Sequence, residues 1–259
     1  MTPKKADLGF KTAIMIGLDP SELGLCEDWL SHGLEQLVVI EPDPLTAAQL
    51  EQALAGEDRA RILTDLPGSG AAEHLLRVYN FPGLRSLEAP TEQMHEMLPG
   101  LEASRDATVT EIPAAELLPQ PNSLPVPFYL RISLLGAELW LLEALQEAGL
   151  LKSVVDLEVY CAADALFEGG SFRDPIQVWL QDGGFRLSDV TAEDPDWPVL
   201  RFEADPRAQA LNDAQTSLAQ RQGRIRELNQ LADLARRDLE RAEGQIDLVK
   251  DLLLRKEGQ

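Results

Sequence analysis

Short apolar runs alternate with amphipathic segments along the first part of the chain. The runs at 12–16, 37–40 and 61–64 contain β-branched residues, which is typical of buried strands. The segments between them, 21–33 and 46–55, carry apolar residues at helical spacing. This alternation predicts an α/β fold with a parallel sheet and helices on both faces.

The same alternation returns after a less regular middle part. Glycine and proline interrupt the pattern between residues 66 and 101, where we predict only a short strand at 75–79 and a long loop. Residues 107–112 alternate as an exposed edge strand does. Further strands and helices are predicted at 128–132, 137–148, 153–160, 171–181, 185–190 and 199–203. The last two strands are expected to form a closing hairpin.

Residues 207–256 contain no proline and repeat apolar residues every seven positions. The first set of these positions holds Leu211, Leu218, Ile225, Ala232, Leu239, Ile246 and Leu253. This heptad pattern predicts a coiled-coil helix and a homo-oligomer that forms through residues 207–256. The alternative is a long helix folded back on its own domain, because leucines outside the seam widen the apolar face. We predict two domains, an α/β domain at 1–206 and a coiled-coil helix at 207–259.

Acidic residues are concentrated in the α/β domain. The chain has a net charge of −21, but residues from 207 onward include 10 basic and 9 acidic residues, which leaves a net charge of −22 on residues 1–206. Such a surface repels phosphate backbones and anionic lipids. We therefore expect neither nucleic acid nor a membrane as a partner.

The remaining composition indicates a cytoplasmic protein without a metal site. No apolar run reaches the roughly 18 residues that indicate a membrane span, and the first ten residues do not resemble a secretory signal. Cys26 and Cys161 lack metal-ligand spacing and lie in or beside apolar segments. We expect both to be buried, reduced thiols in a reducing compartment.

Two sets of residues lie where a nucleotide-binding sheet holds its ligand. Gly17 follows the first predicted strand, and Glu41 ends the second strand 24 residues later, near the usual spacing of about 20. In such folds the glycine turn admits the cofactor and the acid accepts hydrogen bonds from the ribose hydroxyls. Ser133 and Glu138 lie at the end of a central strand and the start of a helix, where Glu138 has the alternative role of a helix cap.

Several local strings occur in a recognisable order. They are IEPDP at 40–44, YNFPGLRSL at 79–87, RISLLGAE at 131–138, LEV at 157–159 and WLQDGGFRL at 179–187. In this order they resemble motifs of the FkbM family of S-adenosylmethionine-dependent methyltransferases, over roughly residues 10–203. The resemblance implies a Rossmann-like class I methyltransferase sheet and S-adenosylmethionine as the cofactor.

The resemblance also implies roles for individual residues. Gly17, Asp19 and Glu41 are expected to bind the cofactor, and Asn80 and Arg85 to lie in a loop that covers the substrate. Ser133 and Glu138 are expected at the strand-end site. The implied substrate is a small molecule or a saccharide.

Departures from the family motifs fall at the cofactor turn. Met15 and Ser133 stand where the family has aspartates, and Arg131 stands where it has lysine. No catalytic residue is assigned, because the candidate bases His74, Asp65 and Glu158 belong to no motif. We predict an FkbM-like methyltransferase oligomerised through a coiled coil. The alternative is a catalytically inactive scaffold or assembly protein that keeps the methyltransferase fold.

Overall fold

The computed structural model describes residues 8–118, 123–191, 194–211, 214, 218, 221–226, 228–237 and 241. The chain divides into two compact units, 1–209 and 210–259. The strands described in the first unit are β1 (Thr12–Ile16), β2 (Gln36–Ile40), β3 (Ala60–Leu63), β4 (Leu66–Gly68), β5 (Ala72–Tyr79), β6 (Arg85–Ser86), β7 (Ala103–Pro113), β8 (Phe128–Ile132), β9 (Val154–Tyr160), β10 (Phe185–Thr191) and β11 (Val199–Ala204). Its helices are α1 (Leu23–Ser31), α2 (Pro44–Ala53), α3 (Glu92–Met97), α4 (Ala114–Leu117), α5 (Glu138–Glu147) and α6 (Arg173–Asp182), with 3-10 turns at Pro20–Glu22 and Leu150–Ser153.

Seven strands form the larger sheet, in the order β10-β11-β9-β8-β1-β2-β3. The five strands from β9 to β3 pair in parallel, whereas β11 is antiparallel to both of its neighbours. Without β11, numbering these strands along the chain gives the spatial order 3-2-1-4-5-6, which is the doubly wound order of nucleotide-binding folds. The predicted parallel sheet and the closing hairpin of β10 and β11 are confirmed.

Alternate residues of β1 pack into two separate cores, one on each face of this sheet. Ile14 and Ile16 join the core that contains residues of α5 and α6. Ala13 and Met15 join the core that contains residues of α1 and α2. Helices therefore cover both faces, as predicted, and a strand buried on both faces reads as an unbroken apolar run.

The irregular middle of the sequence folds into a second sheet, in the order β4-β7-β5-β6. The predicted strand at 75–79 is confirmed as part of β5, whereas the predicted long loop is wrong, because several glycines and prolines lie in short connections between strands. The prediction that residues 107–112 form a strand is confirmed within β7. Residues 107–110 pair with β5, and β4 pairs with residues 111–113 at the end of the strand. The polar alternation therefore fits an edge position over 107–110.

Helix α2 begins two residues before its predicted start because its first turn is capped. The side chain of Asp43 accepts hydrogen bonds from the backbone N–H groups of Leu45 and Thr46, and Pro44 occupies the first helical position. Both features are typical of helix starts. Elsewhere in this unit, Cys26 and Cys161 are buried and free, as predicted.

The described residues of the second unit are α-helical. Four side chains at heptad positions are about half exposed, namely Leu211, Leu218, Ile225 and Leu228. Later heptad positions, such as Leu239, Ile246 and Leu253, lie outside the described residues. The coiled coil and the boundary at 206 therefore stay predictions. In the described part of the chain, no helix combines the length and apolarity that crossing a bilayer requires.

Candidate functional site

The turns after β1 and β8 meet at the centre of the larger sheet, where the strand order reverses. The Ser133 N–H donates to the Ile16 carbonyl at 2.8 Å, and Ser133 Oγ donates to the Gly17 carbonyl at 3.1 Å. Gly17 has φ 81°, and a Cβ on it would lie 2.8 Å from the Ser133 carbonyl oxygen. In the described conformation this glycine is thus required for close packing of the two turns.

A cavity of about 440 Å³ opens beside these turns. Gly17, Asp19, Arg85 and Ser133 line it, so four of the predicted site residues come together. Tyr160 and Trp197 form an aromatic part of its wall, with stacked rings whose centroids are 6.4 Å apart. Ligands of doubly wound sheets bind at this position, outside the carboxyl ends of the strands.

Asp19 and Arg131 supply opposite charges to this cavity. Asp19 accepts from the Ser21 N–H at 2.8 Å; although burial raises its pKa, the hydrogen bonds from Ser21 outweigh burial and lower it. Arg131 pairs with Glu22, but its buried Nε has no hydrogen-bond partner among the described residues. A buried donor without a partner is costly, and here it belongs to a residue that lines the cavity.

Glu41 lies at the carboxyl end of β2, as predicted, but it does not line this cavity. Its side chain is fully buried, and Oε2 lies 2.8 Å from Nη2 of Arg85, whose side chain is 8% exposed. Its Oε1 accepts from the Asp43 N–H at 3.0 Å. Burial raises the pKa of Glu41 to about 7, and the positive charge of Arg85 limits the rise.

Asp43, two residues later, is held by a different arginine. Arg105 donates two hydrogen bonds to its carboxylate, which also accepts one from the Thr46 hydroxyl. Although burial raises the pKa of Asp43, these hydrogen bonds dominate and lower it to about 2. Arg85 and Arg105 both come from the second sheet, so the inserted strands supply the cations that neutralise the acids after β2.

A smaller cavity of about 270 Å³ also has Arg85 in its wall. Asp43, Tyr79, Arg105 and Arg85 itself line it. The hydroxyl of Tyr79 is buried and has no hydrogen-bond partner within the described part of the chain.

Asn80 and Glu138 make structural contacts. The Asn80 side chain donates to the Gly100 carbonyl and accepts from the Glu102 N–H, so it ties a loop together at the edge of the smaller cavity. Glu138 is fully buried at the start of α5 and accepts from the Ser171 hydroxyl at 2.6 Å. Burial raises its pKa to about 8. It lines neither of the cavities beside Arg85.

The three candidate bases lie outside the cavity at Gly17. His74 pairs with Glu111 at 2.8 Å and lines a separate cavity of about 460 Å³. Glu158 pairs with Arg201 at 3.1 Å, and Asp65 is half-buried. The sequence did not single out Arg105, Tyr160 or Trp197 as site residues, since none of them lies within the motif strings at 40–44, 79–87, 131–138, 157–159 and 179–187.

Comparisons with known proteins find similarity at the level of structure. No family profile matches the chain, and no curated protein matches it. The methyltransferase FkbM from Methylobacillus flagellatus KT superposes with a TM-score of 0.47 at 13% identity, over 74% of this chain and 43% of that one. Sp1610 from Streptococcus pneumoniae, in complex with S-adenosyl-L-methionine, gives a TM-score of 0.41 at 14% identity, over 74% of this chain and 65% of that one. TrmK from M. capricolum, in complex with S-adenosyl-homocysteine, gives 0.38 at 7% identity, over 74% and 62%. The chain thus spans less than two thirds of the length of these proteins.

Proposed function

We propose that the cavity beside Gly17 binds S-adenosylmethionine and that the domain transfers its methyl group to a small molecule or saccharide. The observation that carries this proposal is the unpartnered, buried Nε of Arg131, in a cavity that also presents the carboxylate of Asp19. The methionine part of the cofactor has a carboxylate and an ammonium group, which these two side chains complement. The position at the reversal of strand order supports the same ligand.

The residues fit one part of this cofactor and not the other. Arg131 and Asp19 suit the methionine part, and Tyr160 and Trp197 would exclude water from a bound ligand. The acid expected to hold the ribose does not fit in this conformation, because Glu41 is fully buried against Arg85. When bound, S-adenosylmethionine supplies an electrophilic methyl group, and this chain would contribute orientation. We assign no catalytic base.

A second candidate function is a non-catalytic scaffold that keeps the fold. The observation that favours it is the ion pair of Glu41 and Arg85, which uses the ribose acid for internal structure. Met15 also favours the scaffold, since it stands where the family has an aspartate. It is buried in the core, with its sulfur 3.6 Å from that of Cys26.

Calorimetric titration with S-adenosylmethionine and S-adenosylhomocysteine separates the two functions. Binding at micromolar concentration, weakened at least about tenfold in Arg131→Gln, supports the enzyme, because a hydrogen bond to a charged group contributes about 1.5–3 kcal/mol. The matched control is Arg186→Gln, which removes an equal charge from the exposed hairpin and should leave binding unchanged. Absence of heat and of a thermal shift at millimolar ligand would exclude the enzyme and favour the scaffold.

We propose further that the heptads at 207–256 join copies of this chain. The exposure of heptad side chains such as Leu218 and Ile225 supports this, because an isolated helix cannot bury its apolar seam. Light scattering should show an oligomer for the full chain and a monomer for residues 1–206. Ile225→Glu, in the seam, should weaken the oligomer, whereas Gln230→Glu, on the opposite face, should not. A full chain that is already monomeric would overturn the proposal.

A further inference from the structure

Arg85 forms a wall between two cavities. Its side chain lines both the cavity of about 440 Å³ beside Gly17 and the cavity of about 270 Å³ beside Asp43. Asp19 and the loop at 81–84 also border both cavities. Arg85 lines both cavities and lies 2.8 Å from Glu41, so a movement of its side chain would join them into one cleft beside Glu41.

Unpartnered polar atoms follow the path of this joined cleft. Among the described residues, Arg131 Nε at the larger cavity and Tyr79 Oη at the smaller one have no hydrogen-bond partner. The same holds for Arg85 Nε and Glu41 Oε2, where the cavities share a wall. The charged groups of Glu41 and Arg85 are 2.8 Å apart, yet their orientation does not give a hydrogen bond. Buried polar atoms without hydrogen bonds are costly, and an elongated ligand with polar groups along its length would satisfy them.

We propose that Arg85 is an internal cap on the ribose position, and that a nucleoside ligand binds by exchange with it. The ligand hydroxyls donate to Glu41, and the guanidinium of Arg85 turns into the larger cavity. This inference rests on the proposed S-adenosylmethionine site and adds the step that opens it.

The surroundings of Arg85 favour movement of the side chain without the backbone. Its neighbour Ser86 is fixed, since Ser86 Oγ donates to the Leu135 carbonyl at 2.7 Å. The larger cavity offers the displaced guanidinium the carboxylate of Asp194 as a new partner, while Asp19 stays available to the ligand. The exchange therefore leaves neither Glu41 nor Arg85 as an isolated buried charge.

The test is calorimetric titration of the full chain with S-adenosylhomocysteine, comparing wild type with Arg85→Met. Removal of the cap should tighten binding about tenfold or more, because the ligand no longer competes with an internal cation for Glu41. The matched control is Arg77→Met, which removes an arginine of the same small sheet that donates to the Leu87 carbonyl at 3.1 Å and lines neither cavity. The control should bind as wild type does. If Arg85→Met does not fold, the neutral pair Arg85→Met with Glu41→Gln should fold and also bind more tightly than wild type.

The outcomes separate this inference from the proposed function. The exchange is supported if Arg85→Met binds the ligand and wild type does not, or if Arg85→Met binds it more tightly than wild type. If wild type binds the ligand and Arg85→Met binds it equally or more weakly, the exchange is overturned. Arg85 is then either a direct contact of the ligand or not involved in binding, and the proposed S-adenosylmethionine site stands. No binding by either protein, while both are folded by circular dichroism, overturns both proposals.

Discussion

The two halves of the candidate site differ in what satisfies their charged groups. On the side of β1 and β8, Asp19 and Arg131 face a cavity, and Arg131 keeps an unpartnered nitrogen. On the side of β2, Glu41 and Asp43 are each held by an arginine from the inserted sheet. The same doubly wound frame therefore has one half open to a ligand and one half closed by the protein itself.

The closed half also shows that an ion pair alone does not determine a pKa. Arg105 donates well-directed hydrogen bonds to Asp43, and that carboxylate has a pKa of about 2. Arg85 lies 2.8 Å from Glu41 but lacks that geometry, and burial raises the pKa of Glu41 to about 7. The desolvation of Glu41 and the directed hydrogen bonds to Asp43 together explain the difference.

The largest effect is expected from Glu41→Ala. This variant removes the counter-charge that Arg85 has in the described conformation, so the free energy of unfolding should fall by about 3–5 kcal/mol when the guanidinium stays at that position. Urea denaturation measures it. In the control Glu35→Ala, which breaks an exposed pair with Lys11, the loss should stay below about 1 kcal/mol. A loss as small for Glu41 as for Glu35 would show that the closed half is not held by this pair.

A smaller effect is expected from Gly17→Ala in the open half. The added Cβ meets the Ser133 backbone at 2.8 Å in a left-handed conformation, so the loss of stability should be about 2–4 kcal/mol. Gly83→Ala is the matched control, with similar φ but only the Asp19 carboxylate nearby, at 3.6 Å. Its loss should be about 1–2 kcal/mol. Equal losses would mean that backbone strain, and not close packing of the turns, explains Gly17.

The pH dependence of stability separates the two acids of the closed half. The pKa of Glu41 in the folded state is raised, so its contribution is complete below about pH 4.5 and is lost as pH rises through 7. Asp43 has a lowered pKa, so its contribution is present above about pH 3.8 and is lost as pH falls toward 2.

We therefore expect Glu41→Gln to remove a decline in the free energy of unfolding between pH 5 and 7, of at most about 1.4 kcal/mol per pH unit. Urea denaturation at each pH measures this decline. Glu138, whose pKa is also raised, contributes with the same sign, so Glu138→Gln is examined separately. Parallel curves for wild type and Glu41→Gln between pH 5 and 7 would contradict the raised pKa.

The smallest effect is expected from Ser133→Ala. Loss of the hydroxyl that donates to Gly17 should lower the free energy of unfolding by about 0.5–1.5 kcal/mol. Thermal denaturation measures it, with Ser104→Ala, an exposed hydroxyl that donates to the Val78 carbonyl, as the control. A larger loss than for Gly17→Ala would mean that the hydroxyl, rather than the glycine, joins the two turns.

The sequence alone determined the larger sheet. Apolar runs such as 12–16 and 37–40 are local signals, because a strand buried on both faces must be apolar throughout. It also placed Gly17, Glu41 and Ser133 at the correct strand ends, since parallel strands bring their carboxyl ends to one edge. In the second sheet the sequence predicted parts of β5 and β7 but neither β4 and β6 nor the pairing, because β4 and β6 are short and turn residues separate the strands.

Only the tertiary structure decided which partner each charged residue has. Arg85 follows Glu41 by 44 residues, and Arg105 follows Asp43 by 62, so no local spacing links either pair. The insertion of the second sheet brings these cations to the end of β2. An apolar pattern specifies a strand or helix because each residue contributes to burial through its own side chain. A buried ion pair, in contrast, depends on where the fold brings two residues that are distant in the sequence.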